Sequence, residues 1–336
     1  MKDMRVGTHE GPEEQKRYTP GDYRIEIPIE VAENSIRISF PDFPLRTIEL
    51  LDADRSGGFQ NAVFIVNGNY IFRFPRHEKA NQSVIVESVV LPKLQRTLDL
   101  PIPQIEFVGQ QLNGLQFIGY KLIEGIELDK RFLLAPENAE TRFKPKLVGK
   151  IATFLRQIHA FDIEEAKRGG VEIRDPRTFY QGKLQDARDN LYPFFEKSFS
   201  EEAPAFKTYI EKLFEEYFNN PKNFDFQPTL LHGDLESEHI MYSEERDDIA
   251  GIIDFGGIKI HDPDYDLWRP YYHYGREFIE ELLKTYPHSD PDFLFKKMDF
   301  YWRAQVIHRI VRRLVRIDDV SHEVEEFRKL YTKDKK

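Results

Sequence analysis

The chain has 336 residues, 58 acidic against 48 basic side chains and a net charge of -10, which argues against a general grip on nucleic acid phosphates. It contains no cysteine, so disulfides, thiolate zinc sites and thiol catalysis are excluded. No stretch approaches the ~20 apolar residues of a membrane span, and the first twenty residues lack a signal-like apolar core, so a cytoplasmic protein without membrane partners is expected.

Residues 1–22 are polar and broken by Gly11-Pro12 and Pro20-Gly21, and read as a flexible arm. A short helix is expected over Val31 to Phe40, closed by Pro41 and Pro44. Thr47 to Leu51, Ala62 to Val66 and Tyr70 to Phe74 carry the β-branched and aromatic pattern of strands. Asn67-Gly68, between the last two, is a hairpin turn because both residues tolerate positive φ. A helical pattern over Asn81 to Leu98 and strands over Ile105 to Val108 and Leu115 to Leu122 complete a small antiparallel sheet with one helix. After Glu124-Gly125 the pattern turns helical. Leu147, Ile151, Leu155 and Ile158 share one face, and Phe206, Ile210, Leu213, Phe214 and Tyr217 share another behind a Ser200 cap. Phe278, Leu282 and the run from Leu294 to Val315 add further helices. About two lobes are expected from the length: residues 23–123 as an N-lobe and hinge, residues 124–336 as a mostly helical C-lobe.

The chemistry concentrates between Leu230 and Asp266. Three strand-like segments (Thr229–Leu231, Ile240–Tyr242 and Ile249–Ile253) are expected to meet around Asp234, in a His-Gly-Asp turn, with His239 and Asp254. A carboxylate free to reach a hydroxyl, beside a nitrogen and an oxygen able to hold a divalent cation, suits phosphoryl transfer, whose transition state is stabilised mainly by positioning and metal-borne charge.

These residues resemble the Brenner-type motif of the aminoglycoside phosphotransferase family, small-molecule kinases with a protein-kinase-like fold. The resemblance covers roughly residues 30–330. It implies an α+β, two-lobed fold, with Asp234 as catalytic base and His239 and Asp254 as ligands of Mg2+. His239 stands where the family usually has Asn, as it does in the similar 2''-aminoglycoside kinases. A nitrogen ligand is second-best for magnesium and tilts the site towards Mn2+. By the same resemblance, Ser56, Gly57, Gly58 and Asn61 form a phosphate-cradling loop, although a Gly-Gly bend alone is weak evidence. Arg73, on Ile71-Phe72-Arg73-Phe74, replaces the usual phosphate-pairing Lys and takes Glu87 as ion-pair partner; Arg keeps the charge but differs in geometry. Lys121 and Ile123 offer hinge backbone to a purine. Tyr120 narrows the space behind the base, which disfavours adenine and leaves room for guanine.

Structural roles are expected for His232, for His159 and for Asp266 as acceptor of catalytic-loop N–H groups. Glu236 and Glu238 are open between holding an ammonium and being solvated. Trp268 and Tyr271 are open between stacking on a ligand and packing in the core. The arginines from Arg303 to Arg316 read as a charged helix face. The reading is therefore an ATP- or GTP-dependent kinase of a small-molecule hydroxyl, with aminoglycosides the leading class and antibiotic resistance the implied role. The acidity of the chain suits a cationic acceptor, but the basic, aromatic segment after Asp266 weakens the antibiotic assignment. Two alternatives stand beside it: a kinase of a cellular amino alcohol, sugar or nucleoside, and a non-catalytic nucleotide-binding regulator.

Overall fold

A computed structural model describes residues 26–51, 60–137, 139–316 and 318–333. The expected arm over residues 1–22 and the loop residues Ser56, Gly57 and Gly58 lie outside the described residues. Helix α1 (Ile29–Ser39) leads into β1 (Ile48–Leu50), β2 (Asn61–Val66) and β3 (Tyr70–Pro75). Asn67 and Gly68 both adopt positive φ, 53° and 73°, as the hairpin between β2 and β3 requires. Helix α2 (Glu78–Leu94) precedes β4 (Ile105–Gln110) and β5 (Gln116–Lys121), and the five strands form an antiparallel sheet in the order β1-β2-β3-β5-β4.

The period of two along β3 decides the use of each face. Phe72 and Phe74 join Phe64 and Phe117 in an aromatic layer against α1, while Ile71 joins Val84 of α2, Ile118 and Tyr120 on the opposite face. Arg73 shares the α2 side and is buried there. The helix begins three residues before the expected Asn81, because the His77 ring accepts the Ala80 N–H and caps it.

Beyond β5 the chain forms β6 (Ile126–Glu127), α3 (Lys130–Leu133), α4 (Pro145–His159), α5 (Ile163–Arg168), α6 (Pro176–Asp186), α7 (Tyr192–Ser198) and α8 (Ala203–Asn219). Ser200 does not cap α8. The helix starts after Glu202 without a side-chain cap, with Pro204 in its first turn, and Glu202 is bound instead by Arg328 at 2.6 Å. Strands β7 (Thr229–Leu231), β8 (Ile240–Ser243), β9 (Asp248–Ile252) and β10 (Lys259–His261) follow. Then come α9 (Trp268–Tyr274), α10 (Arg276–Leu282), α11 (Pro291–Arg316) and α12 (Ser321–Lys333). The three expected strands around Asp234 do not share one sheet. β7 pairs with β10, which is too short and too polar to read as a strand, whereas β8 pairs with β9 and β6. One large apolar core runs from Val90, Leu91 and Leu94 of α2 through the helices to α12, so α2 is packed against both halves of the fold. Among the described residues no helix is long and apolar enough to cross a membrane.

Candidate active site

The loop after β7 is held by its backbone. Asp266 accepts the N–H groups of His232 at 2.9 Å and Gly233 at 2.7 Å, and its Oδ2 lies 3.2 Å from His159 Nε2. Burial alone would raise the Asp266 carboxyl, yet the His159 and backbone hydrogen bonds hold it below its usual range. His159 is anchored in turn by Tyr286 at 2.9 Å. His232 Nε2 meets the Ile253 carbonyl at 3.1 Å while Nδ1 accepts the Asp234 N–H at 3.3 Å, which fixes the neutral ring with its proton on Nε2. Burial also lowers its pKa, so the ring is scaffolding and not a base. Gly233 turns the chain at φ 78°, and a Cβ there would stand 2.2 Å from the Gly257 carbonyl oxygen. Only glycine lets the loop lie so close to the turn after Asp254.

Asp234 is thereby set, half-buried, beside His239 and Asp254. His239 Nδ1 lies 2.6 Å from the Asp234 carbonyl oxygen. A carbonyl only accepts, so Nδ1 carries the proton, and in the neutral ring Nε2 holds a lone pair. That nitrogen points at Asp254 Oδ2, 3.5 Å away. Two electron-rich atoms facing each other want a cation between them. Asp254 itself adopts left-handed φ 59° and ψ 71°, and its Oδ1 accepts the Gly256 N–H at 3.3 Å. Burial pushes its carboxyl up, but the Arg73 charge and the Gly256 N–H outweigh this and lower it. Among the described residues no group of three or more potential metal ligands gathers, so the donor set is a pair. One carboxylate and one neutral imidazole fit a hydrated magnesium or manganese ion, which takes few protein ligands.

Arg73 reaches this centre from β3. Its Nη1 bonds Glu87 Oε2 at 2.6 Å and its Nη2 lies 3.4 Å from Asp254 Oδ1. Burial pushes the Glu87 carboxyl up to about 7, against the opposing pull of Arg73. Glu87 Oε1 is buried with no hydrogen-bond partner among the described residues. Tyr120, 6% exposed, flanks the pair, and burial pushes its phenol up to about 12 although Arg73 pulls it back. Asn61 opens β2 with a buried Oδ1 that has no hydrogen-bond partner among the described residues. Lys121 closes β5 opposite Tyr70, and Ile123 is half-buried just beyond it.

Sequence reasoning missed Arg269. Its Nη2 lies 2.5 Å from Asp234 Oδ1 and its Nη1 pairs with Glu236, while its guanidinium stacks 4.6 Å from the Trp268 ring. Glu236 is therefore half-buried and paired through Oε1, with Oε2 3.8 Å from His273 Nε2. Glu238 is exposed, with Oε1 3.7 Å from His239 Nε2. Trp268 is core, 1% exposed, and Tyr271 bonds Asp299 at 3.1 Å. The only sequence signal for Arg269 was a basic residue three positions after Asp266, which has no fixed meaning without the turn that folds it back.

A family model described as "Phosphotransferase enzyme family" matches residues 53–301. No curated protein matches the sequence. Among solved structures, the chain is similar to the GDP complex of wild-type aminoglycoside 2'-phosphotransferase-IIIa, at 25% identity and TM-score 0.80, covering 91% of this chain and 99% of that one. A GDP and kanamycin complex of that enzyme aligns equally well, at 25% identity and TM-score 0.80, over 90% and 98% of the two chains. A macrolide 2'-phosphotransferase from Brachybacterium faecium, at 18% identity, TM-score 0.63 and 90% and 97% coverage, shares the fold.

Proposed function

Because the chain belongs to the phosphotransferase enzyme family, we propose that Asp234, His239, Asp254 and Arg73 carry its transfer of a nucleotide γ-phosphate to the hydroxyl of a small molecule. The observation that carries the assignment is the convergence of His239 Nε2 and Asp254 Oδ2 at 3.5 Å, next to the half-buried Asp234 carboxylate, whose Oδ2 lies 4.0 Å from His239 Nδ1. Asp234 accepts or orients the acceptor proton. His239 and Asp254 hold Mg2+ or Mn2+, which when bound would neutralise charge on the transferring phosphoryl group. Arg73, fixed by Glu87, steadies donor phosphates with a fork that can bind bidentately. Ser56, Gly57, Gly58 and Asn61 serve the phosphates, and the Lys121 and Ile123 backbone serves the base. Tyr120, buried behind the hinge, favours guanine over adenine.

The test is metal-dependent release of diphosphate from ATP and GTP in the presence of kanamycin, a macrolide, and neutral and anionic hydroxyl compounds. Asp234→Asn is expected to lower turnover by ~10²–10⁴-fold while nucleotide binding persists. Unchanged turnover would remove Asp234 from the mechanism, and nucleotide binding without turnover on any hydroxyl compound would favour a regulator.

A further inference from the structure

Beside Asp234, but outside the set just described, basic side chains gather along β10 and α6. Residues 172–174 run alongside β10: Ile260 N–H donates to the Glu172 carbonyl and Arg174 N–H to the Ile260 carbonyl, both at 2.9 Å. This pairing sets Arg174 next to Lys259 and His261. Helix α6 then supplies Phe179 and Lys183. The Arg174 guanidinium and the Lys183 ammonium each lie 5.1 Å from the Phe179 ring, and the His261 ring lies 6.5 Å from it. From α11, His308 puts its Nε2 and Nδ1 2.7 and 3.0 Å from Lys183 Nζ.

The cluster is short of negative charge. His261 accepts the Asp262 N–H through Nδ1 at 2.6 Å, so its proton is on Nε2, and that buried donor has no acceptor among the described residues. Lys259, 6% exposed, bonds the Gly233 carbonyl at 3.1 Å and lies 4.6 Å from the Tyr265 ring, neither of them an anion. Lys183 faces an imidazole where a carboxylate would be expected. Burial pushes both lysines down to about 8, and Arg174 adds to the effect on each. Burial and the neighbouring cations hold the His261 and His308 rings near a pKa of about 3, so neither ring adds a charge of its own at neutral pH. The acids within reach are committed or peripheral. Glu172 meets Arg174 at 3.3 Å on the surface, Asp186 acts on Lys183, Asp266 holds the loop backbone, and Asp234 pairs with Arg269 through Oδ1.

We infer that Arg174, Lys183, Lys259 and His261 form a binding site for a phosphate or carboxylate group, carried by the hydroxyl compound that receives the γ-phosphate. Lys259 bonds the carbonyl of the residue preceding Asp234, so an anion held there brings the rest of its molecule to the base. A polycation would meet Asp234 and Glu236 already paired with Arg269. The acceptor half of this inference rests on the kinase reading; the anion site does not.

Equilibrium dialysis of labelled inorganic phosphate, without nucleotide and with saturating ADP, tests the site directly. Phosphate is expected to stay bound in both conditions and to bind at least about tenfold more weakly to Lys183→Met and to the partly exposed Arg174→Gln, as loss of a charge-assisted hydrogen bond predicts. ADP binding should be equal in all three proteins. A phosphate affinity equal in both variants and wild type, or no binding at millimolar phosphate, overturns the site. Turnover of matched acceptors, such as glycerol and glycerol 3-phosphate, separates a substrate group from a free ion. A lower KM for the phosphorylated compound, lost in the variants, supports the acceptor assignment. Preference for the neutral twin or for kanamycin overturns it. Failure of ADP to bind while phosphate binds would strike the kinase reading alone.

Discussion

Arg73 Nη2 lies 3.4 Å from Asp254 Oδ1 although 181 residues of chain separate the two. The same guanidinium bonds the fully buried Glu87 at 2.6 Å, so one side chain ties the five-stranded sheet, α2 and the metal turn together. Arg73→Met leaves a buried carboxylate without its counter-charge and is expected to cost ~3–5 kcal/mol of stability at neutral pH. The deficit should shrink towards pH 5, because a Glu87 with a raised folded pKa is then protonated and neutral. Arg73→Met with Glu87→Leu should recover most of the loss. Urea unfolding of the single and double variants checks this, and equal losses in both would show the pair is not coupled.

The proposed metal role of His239 predicts a metal preference. Its Nδ1–H is committed to the Asp234 carbonyl at 2.6 Å, leaving a nitrogen donor opposite Asp254. Nitrogen ligands suit manganese better than magnesium, which prefers oxygen. His239→Asn should raise the ratio of Mg2+-supported to Mn2+-supported kcat/KM by about tenfold, the scale on which ligand changes alter metal affinity. Metal titrations of turnover on both proteins provide the ratio. No change would take His239 out of the metal site.

Tyr120 is the residue on which the proposed preference for guanine rests. It is buried in the small cluster of Ile71, Val84 and Ile118 at the end of β5, against Arg73. Tyr120→Leu removes most of a ring from behind the base and should raise the ATP-to-GTP ratio of kcat/KM by about tenfold, within the usual range for reshaping a pocket. Tyr120→Phe keeps the ring and should leave the ratio unchanged. Equal use of ATP and GTP by the wild type at limiting concentration would end this account.

Much of the fold was legible because it follows from local patterns. The Asn67-Gly68 turn, the alternation through Phe72, Arg73 and Phe74, and the helical stripe of Leu147, Ile151, Leu155 and Ile158 each report on a few neighbouring residues. Asp234, His239 and Asp254 fall within a 21-residue window, and the structure brings them together. What was illegible depends on partners far away. β10 exists only because β7 offers an edge to Lys259–His261, and its polar composition hid it. Arg269 acquires meaning when α9 folds its guanidinium onto Asp234 and Glu236. Ser200 looked like a cap, but Pro204 and the Arg328 bond to Glu202 fix where α8 begins. Nothing local marks Lys259 or Lys183, since only tertiary packing buries the first and half-buries the second.

That burial makes Lys259 a measurable load on the fold. Its ammonium is pushed from an ordinary 10.5 down to about 8, first by burial and then by Arg174. Below about pH 8 both folded and unfolded chains carry the proton, so the full cost of the buried charge is present. Above it the folded chain releases a proton that the unfolded chain keeps until about 10.5, and stability therefore rises with pH across that window. One lysine with this shift is worth ~3 kcal/mol over the interval, and Lys183, depressed to about 8 as well, adds in the same direction. Lys259→Met has no proton to release, so its stability should rise less steeply between pH 8 and 10.5 than that of the wild type. Unfolding free energies at half-unit steps of pH, with and without phosphate, read both slopes. Bound phosphate should flatten the wild-type curve, because an anion beside Lys259 keeps it charged. Identical slopes for wild type and Lys259→Met would mean that the lysine is solvated, and the anion site would lose its central cation.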